Sequence, residues 1–323
     1  MVRGVPARFR RDALVVLPRG YPAAGLSSLE VLFSSHPEPD ASSLRAARRA
    51  LDYFADFGPR DLILCLISGG TSSLLTLPRP GVTLEAKRRA VGRLMRSGAS
   101  IVEINRLRAS LSAVKGGRLG RRTSARLVTL VLSDVPGDRP ALVGSGPTVR
   151  GRRGDTTLVI GSNRRGLEAA ARRARGLGLR PRFFGRRLAG EASEAGMRFA
   201  RAASSLAPGQ VLLAGGETTV KLAGGHGRGG RNLEFALGAA LALDGETGIT
   251  VLAAGSDGID GSSMAAGALA DGQTLARARR RGLDPRRALA CHDTEPFFER
   301  LGDLLVTGPT GTNVSDWAIA ICE

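Results

Sequence analysis

The segment from Gly248 to Gly261, read as GITVLAAGSDGIDG, constrains the fold more strongly than any other part of the chain. Ile249 to Ala254 is apolar and β-branched apart from Thr250, which predicts a strand buried on both faces of a sheet. The strand runs directly into a glycine-rich turn that carries Asp257 and Asp260. Because ligands bind at the carboxyl ends of strands in open α/β sheets, this turn indicates a ligand site. For one loop alone, an ordinary turn rich in aspartate and glycine is an equally good interpretation.

Four other predicted strands end in the same way. Each is an apolar run followed at once by glycine, serine, threonine or acidic residues. They are Asp61 to Ile67, Leu127 to Leu132, Val211 to Ala214 and Leu304 to Val306. The recurrence of this pattern favours a binding site over a set of unrelated turns.

Strands alternate with helices along the whole chain, which predicts an α/β fold with largely parallel sheets. Helices are predicted at Ser43 to Phe57, Leu84 to Ser97, Ser100 onward, Ser162 to Arg175, Ala189 to Leu206 and Asn232 to Leu243. Further strands are predicted at Ala13 to Leu17, Leu29 to Phe33, Thr157 to Ile160, Arg182 to Phe184 and Trp317 to Ile321. Pro208 and Gly209 break the chain, and we place a domain boundary there, between residues 1–207 and 208–323.

Length and composition exclude several classes of protein. The 323 residues are 42% hydrophobic, enough for one large or two ordinary α/β domains. No apolar run approaches the roughly 18 residues that a membrane span requires, so we expect no membrane association. The three cysteines Cys65, Cys291 and Cys322 lack the spacing of a metal site. We therefore expect reduced thiols and a cytoplasmic location.

The chain is strongly basic, with 47 Lys and Arg against 29 Asp and Glu, a net charge of +18. Nucleic-acid binding is one explanation. However, the arginines are dispersed over helical segments, and aromatic residues make up only 4% of the chain, so stacking platforms are scarce. We expect a small anionic substrate and no nucleic acid. The sequence carries no signal of oligomeric state.

The segment Gly224 to Gly230 contains the pattern G-x-G-x-x-G. A dinucleotide site would also need an acidic residue at the end of the next strand, whereas Asp244 comes before that strand. We interpret the loop instead as a set of backbone N–H groups, flanked by Arg228 and Arg231, that binds phosphate at a helix start. A flexible hinge with solvated arginines is the alternative.

Other catalytic signatures are absent from the sequence. It has no P-loop pattern, no zinc spacing and no G-x-S-x-G, and its three histidines are scattered. We take one of them, His292, to be a surface residue. Glycine loops, hydroxyls, arginines, one lysine and several aspartates remain. Phosphoryl transfer needs this set, because cations and amides bind the phosphates and carboxylates bind Mg²⁺ or orient the attacking hydroxyl.

Eight segments in order resemble the glycerate 2-kinase family. They are SGGTSSL (68–74), NRLRASLSAVKGGRL (105–119), SDVPGD (133–138), SGPT (145–148), GGETTV (215–220), GGRNLE (229–234), AGSDGIDG (254–261) and TGPTGTNVSD (307–316). The resemblance implies a Rossmann-like N-terminal domain, a C-terminal domain of the MOFRL type and a cleft between them. It also implies transfer of a phosphoryl group from ATP, with Mg²⁺, to the 2-hydroxyl of D-glycerate.

The resemblance places catalysis at Arg231 and Asp257, which match positions that the family uses. We assign Asp260 to the loop or to Mg²⁺, through water. The remaining residues of these motifs that we expect to bind nucleotide or substrate are Ser68, Gly69, Gly70, Ser72, Lys115, Asp134, Glu217, Asn232, Thr310 and Asn313.

The chain departs from the family in two places. Family members begin with a further strand, a Gly-Ala-Gly-Lys turn and a helix, and the turn supplies a catalytic lysine. The connection from Thr148 to Gly161 is also shorter than usual. Either the start codon is misassigned, or Lys115 or an arginine supplies the cation. Two other functions stay open: a hydroxypyruvate reductase, against which the failed dinucleotide pattern argues, and a protein that binds nucleotides or sugar acids without catalysis.

Overall fold

The computed structural model describes residues 1–9, 12–99, 101–222 and 227–323. The chain forms two compact units, Met1–Ile160 and Gly161–Glu323. This division lies earlier than the boundary predicted at Pro208. The intervening segment belongs with the second unit, because its strand pairs with the C-terminal sheet.

The order of the helices and strands follows the predicted alternation through most of the chain. The strands are β1 (Leu14–Pro18), β2 (Glu30–Ser34), β3 (Leu62–Ile67), β4 (Arg126–Ser133), β5 (Thr156–Ser162), β6 (Arg180–Phe183), β7 (Gln210–Gly216), β8 (Ile249–Gly255), β9 (Gly267–Asp271), β10 (Leu304–Leu305) and β11 (Asp316–Cys322). The helices are α1 (Ala41–Ala55), α2 (Thr71–Leu74), α3 (Leu84–Arg96), α4 (Ile101–Ser110), α5 (Asn163–Gly176), α6 (Ala192–Ala203), α7 (Arg231–Ala242), α8 (Thr274–Arg280), α9 (Pro285–Ala290) and α10 (Thr294–Leu301). Ser100, the predicted start of α4, lies outside the described residues.

The N-terminal unit contains parallel strands, as predicted. β1 pairs with β2 and β3 with β4, both in parallel, and β5 completes the sheet of β3 and β4. Helix α1 begins at Asp40, whose carboxylate accepts a hydrogen bond from the Ser42 amide, and packs its small buried face on this core. Ile67, the last residue of β3, pairs with Val131 near the end of the parallel strand β4. The loops that follow β3 and β4 therefore begin at the same edge of the sheet.

The C-terminal unit is built on a six-stranded sheet in the order β10-β9-β8-β11-β7-β6. Only β6 and β7 pair in parallel; the other neighbours are antiparallel. The predicted parallel arrangement therefore describes the N-terminal unit and does not extend to this sheet. The α/β class itself is confirmed. The difference has two sources: β11 enters between β7 and β8 from the opposite direction, and β9 runs antiparallel to both β8 and β10.

The predicted buried strand is β8, and it is confirmed as a strand inside the sheet, paired on both sides by β11 and β9. Helix α7 packs against α6, and its described side chains are buried on nearly every face, as expected of a helix that is apolar all round. Gly196 of α6 permits this contact, since an added Cβ would lie 2.8 Å from the carbonyl carbon of Phe235.

The register of the sheet aligns three strand ends. Asp316, the first residue of β11, lies opposite Gly216 at the end of β7 and Gly255 at the end of β8. The loops after β7 and β8 and the loop before β11 therefore meet at one edge. Within the described residues, no helix is long and apolar enough to cross a membrane.

Candidate active site

Arg231 is held at this edge by two carboxylates. It is the first residue of α7, and its Nε and Nη2 atoms donate to the two oxygens of Asp316 over 2.6 and 3.1 Å. Its Nη1 atom lies 3.0 Å from a carboxylate oxygen of Glu217, the residue that follows β7. Because the side chain of Asp316 is only 4% exposed, the bidentate pair fixes the guanidinium firmly.

Burial works to lower the pKa of Arg231, but the hydrogen bonds and charges of Asp316 and Glu217 outweigh it and raise the pKa above its ordinary value. The guanidinium of Arg231 therefore stays protonated beside its two carboxylate partners. Asp316 is the main residue that sequence reasoning missed here. It lies within the TGPTGTNVSD segment, and a carboxylate at the first position of a strand was the available signal.

Asp257 lies on the loop after β8 and is half-buried. One carboxylate oxygen accepts a hydrogen bond from Asn313 Nδ2 over 3.2 Å, and the other accepts one from the Ile259 amide over 3.3 Å. Thr310 fixes the same loop, because its amide donates to the carbonyl of Asp257 and its hydroxyl donates to that of Ser256. The structure thus brings three predicted site residues together.

The start of α7 lies close to Asp257. A Cβ atom added to Gly255 would be 3.1 Å from Asp257 Oδ1 and 3.5 Å from Asn232 Nδ2. Both side chains therefore lie against the end of β8. Asp316, which holds the guanidinium of Arg231, pairs with Gly255 in the sheet, so the guanidinium and the Asp257 carboxylate occupy the same strand-end region of the second unit.

Asp260 was assigned to support of the loop or, through water, to Mg²⁺, and its contacts in the structure are supporting ones at the start of α7. It is 1% exposed, and its oxygens accept hydrogen bonds from the Asn232 amide, the Asn232 side chain and the Leu233 amide. Burial raises its pKa to about 6, although these donors oppose the shift. The carboxylate lies on another loop and caps the N-terminus of α7, so its oxygens already accept hydrogen bonds within the protein. The same contact makes Asn232 part of the scaffold.

The glycine-rich loop also differs from the prediction. Its amides were expected to be free for phosphate, but those of Gly227, Arg228 and Gly229 donate to Cys291 O, Asp293 Oδ1 and Ser262 Oγ. The loop is therefore anchored through its own backbone. Residues 223–226 lie outside the described part of the chain, so the G-x-G-x-x-G glycine at 225 has no structural description.

Gly230 is needed for space, which gives a test of this packing. A Cβ atom there would lie 2.5 Å from the carbonyl carbon and oxygen of Asp260. We expect Gly230→Ala to lower the free energy of unfolding by about 2 kcal/mol or more, because the backbone must move apart. Chemical denaturation measures the change. Gly185→Ala is the matched control, since nothing lies within 4 Å of its added Cβ; equal stability of the two variants would contradict the packing.

His292 was predicted to lie on the surface, and this is wrong. Its side chain is 15% exposed, and its Nδ1 atom lies 2.8 Å from a carboxylate oxygen of Glu234 on α7. Burial raises the pKa of Glu234, while the contact with His292 lowers it. Sequence reasoning missed Glu234, although it belongs to the GGRNLE segment.

A second group of predicted residues meets in the N-terminal unit, after β3 and β4. Asp134 follows β4, and a Cβ atom added to Gly69 would lie 2.8 Å from its carboxyl carbon. Gly70 adopts φ +80° and begins the short helix α2. Burial raises the pKa of Asp134, although its backbone hydrogen bond and His36 oppose the shift. Ser68 lies between β3 and this turn, as predicted.

Lys115 reaches the same turn from the loop after α4. It is 3% exposed, and its Nζ atom donates to the hydroxyl and the carbonyl of Ser72, each over 2.6 Å. Burial, then the charges of Lys87 and Arg108, lower its pKa to about 6. The Ser72 hydroxyl is also 3.3 Å from that of Ser145, a buried residue that sequence reasoning did not include.

The described residues do not form a metal centre: no group of three or more His, Cys, Asp or Glu side chains within them is placed to hold an ion. Mg²⁺ in kinases is often bound by one or two carboxylates together with the phosphates of the substrate. The assignment of Asp260 to Mg²⁺ through water stays a prediction; its oxygens already accept three hydrogen bonds from the start of α7.

Comparison with known proteins identifies the family. Residues 1–173 match a family described as a domain of unknown function, DUF4147, and residues 210–316 match the MOFRL family. A D-glycerate 2-kinase of Thermotoga maritima is 36% identical over 96% of this chain and 84% of its own length. The chain belongs to the glycerate kinase family. The crystal structure of a Thermotoga maritima glycerate kinase superposes with a TM-score of 0.88 at 35% identity, covering 97% of this chain and 85% of that one.

A relative with a similar level of identity carries a different name. A protein of Agrobacterium vitis named as a hydroxypyruvate reductase is 42% identical over 94% of this chain and 90% of its own length. The resemblance to the glycerate kinase family drawn from the eight segments is confirmed.

Proposed function

We propose that this protein transfers the γ-phosphoryl group of ATP to the 2-hydroxyl of D-glycerate, giving 2-phosphoglycerate and ADP. The observation that carries the proposal is the fixed guanidinium of Arg231, in the same strand-end region as the half-buried carboxylate of Asp257. A cation and a base in one region are the parts that phosphoryl transfer to an alcohol requires. Relatives named as glycerate 2-kinases support the choice of substrate.

Arg231 would stabilise the charge that develops on the transferring phosphoryl group. Asp316 accepts from Nε and from one N–H of Nη2, and Glu217 lies beside Nη1, so one N–H on each Nη atom remains for phosphate oxygens. Because Asp316 already holds the group in place, little reorganisation is needed when the reaction occurs. The raised pKa keeps the charge at every pH of interest.

Asp257 would orient and deprotonate the attacking hydroxyl. The hydroxyl oxygen of glycerate forms a bond to the γ-phosphorus while the bond from that phosphorus to the β-phosphate oxygen breaks. The hydroxyl proton passes to Asp257, and ADP leaves with the electron pair. Asn313 and the Ile259 amide each donate to one oxygen of this carboxylate, and Thr310 holds the loop, so the carboxylate keeps a defined direction.

ATP is proposed as the phosphoryl donor and Mg²⁺ as the ion that accompanies it. Bound Mg²⁺ neutralises charge on the β- and γ-phosphates in enzymes of this class. We derive no step through the ion. Residues of the N-terminal unit that we propose to bind nucleotide or substrate are Ser68, Gly69, Gly70, Ser72, Lys115 and Asp134.

Reduction of hydroxypyruvate is the second candidate, because the Agrobacterium vitis relative carries that name. It would require a nicotinamide cofactor. The dinucleotide pattern needs an acidic residue at the end of the strand after the glycine loop. Here β8, the next strand, ends in Gly255, and Asp244 precedes it. The sequence therefore favours the kinase.

We expect the purified chain to convert D-glycerate and MgATP into 2-phosphoglycerate and ADP. Proton and phosphorus NMR distinguish the C2 product from the C3 product. Where the DNA upstream of Met1 encodes an in-frame extension, the extended chain is assayed in parallel. Phosphorylation at C3, oxidation of NADH or NADPH with hydroxypyruvate, or binding without turnover in both forms would each overturn the proposal.

A further inference from the structure

Lys87, the fourth residue of α3, carries a buried ammonium group that has no partner among the residues that the structure describes. The residue is 5% exposed, and its Nζ atom contacts no hydrogen-bond acceptor among the described residues. Lysines are rarely buried unless they are paired, because removing a charge from water costs several kcal/mol or more. Such a group either destabilises the fold without compensation or binds an anionic ligand.

Two other cations lie near it. Arg108 on α4 is half-buried, and Lys115 is 3% exposed. Burial, then the charge of Arg108, lowers the pKa of Lys87 to about 8. Lys87 and Arg108 in turn contribute to the lowered pKa of Lys115. None of the three forms an ion pair with a carboxylate in the described part of the chain.

We propose that Lys87, Arg108 and Lys115 bind a phosphate group. We call these three residues the tri-cation site of the N-terminal unit. A cluster of three cations without an opposing carboxylate is balanced better by a dianion than by the single charge of a carboxylate. Lysine and arginine are both common phosphate ligands. The Ser72 hydroxyl, bound to Lys115 Nζ, adds a polar group at the same place.

The phosphate has two sources within the proposed function, on which this choice of ligand rests: the nucleotide and the phosphorylated sugar acid. Both carry the same terminal phosphate chemistry. Neither Lys87 nor Arg108 was singled out from the sequence, because a lysine on an amphipathic helix ordinarily faces water. Only the fold shows that this one does not.

The first test is calorimetric titration of the full chain with inorganic phosphate near neutral pH. We expect saturable binding of a single phosphate per chain that weakens as the ionic strength rises. Absence of saturable binding would contradict the site.

The second test replaces Lys87. We expect Lys87→Met to weaken the binding of inorganic phosphate about ten- to a hundredfold, the range for the loss of a hydrogen bond to a charged group. Because the substitution removes an unpaired buried charge, it should also raise the melting temperature without phosphate, which separates lost binding from misfolding. Lys221→Met, at an exposed lysine, is the matched control and should change neither quantity. Unchanged phosphate affinity in Lys87→Met would overturn the proposal.

Repeating the titration with MgATP, 2-phosphoglycerate and D-glycerate identifies the occupant. The site is supported if Lys87→Met weakens the binding of MgATP or of 2-phosphoglycerate. If it weakens only D-glycerate, the site binds a carboxylate; if it weakens only inorganic phosphate, the ion is adventitious; both results overturn the proposal. Turnover is measured separately, so phosphate binding without kinase activity would reject the proposed function alone.

Discussion

Arg231→Ala is expected to lower kcat by about 10³ to 10⁵, the range seen when an arginine that stabilises a transferring phosphoryl group is lost. The reason is that the guanidinium has a fixed direction, set by the bidentate pair with Asp316. Steady-state kinetics at saturating MgATP and D-glycerate measure the change. Arg231→Lys should recover only part of the rate, because an ammonium cannot hold Asp316 and a phosphate in the same geometry.

Stability must be measured beside the rate, since Arg231→Ala leaves the carboxylate of Asp316 buried without its partner. We expect a loss of about 3 kcal/mol, the lower end for a buried pair, because Arg231 itself is 33% exposed. Arg277 is the matched control: it bridges Asp271 and Asp303 elsewhere in the same unit. Arg277→Ala should destabilise the fold and leave kcat nearly unchanged. If the two variants lose activity alike, Arg231 is a structural residue.

Asp257→Asn is expected to lower kcat by about 10² to 10⁴, the usual contribution of general base catalysis. Asparagine keeps the size of the side chain, and its oxygen can still accept from Asn313. The hydrogen bond from the Ile259 amide is lost, and the remaining contacts should keep the loop in place while the base is removed. The KM for MgATP should change little, because the carboxylate acts on the glycerate hydroxyl. Kinetics with both substrates varied, together with thermal melts, provide the measurement.

Asp260→Asn is the matched comparison, because it places the same change in the same loop. Here an NH₂ group replaces an oxygen that accepts amide hydrogen bonds at the start of α7. We expect a loss of about 1–3 kcal/mol in the free energy of unfolding from the unsatisfied donors, and a smaller change in kcat than Asp257→Asn shows. Normal turnover in Asp257→Asn beside an inactive but stable Asp260→Asn would mean that the two roles are reversed.

Much of the fold followed from local pattern. The buried strand β8 and the polar turns after β3, β4 and β7 were readable from runs of apolar residues that stop at glycine or serine. Because a strand buried on both faces belongs to a sheet that helices cover on both faces, the pattern also indicated the α/β class. The turn residues Gly69, Gly70 and Asp134 were predicted for the same reason, and the structure brings them together.

The direction of strand pairing in the second unit could not be predicted in this way. A strand of alternating or continuous apolar residues looks the same whether its neighbour is parallel or antiparallel. The segment 267–271 was not predicted as a strand at all, and the antiparallel neighbours of β8 are β9 and β11. Hydrogen bonding between segments far apart in sequence decides this direction.

What the sequence determined by itself is the fold class, the loops that carry polar side chains and the resemblance to one family. Tertiary structure alone decided which polar groups are paired. Asp316 holds Arg231 from 85 residues away, and Asp260 caps α7 from 28 residues beyond Asn232. Lys87 is buried with no acceptor in the described chain, although its helix is otherwise charged. Burial and partnership depend on contacts between distant segments, and those contacts set whether a charged residue is a ligand, a cap or an open binding group.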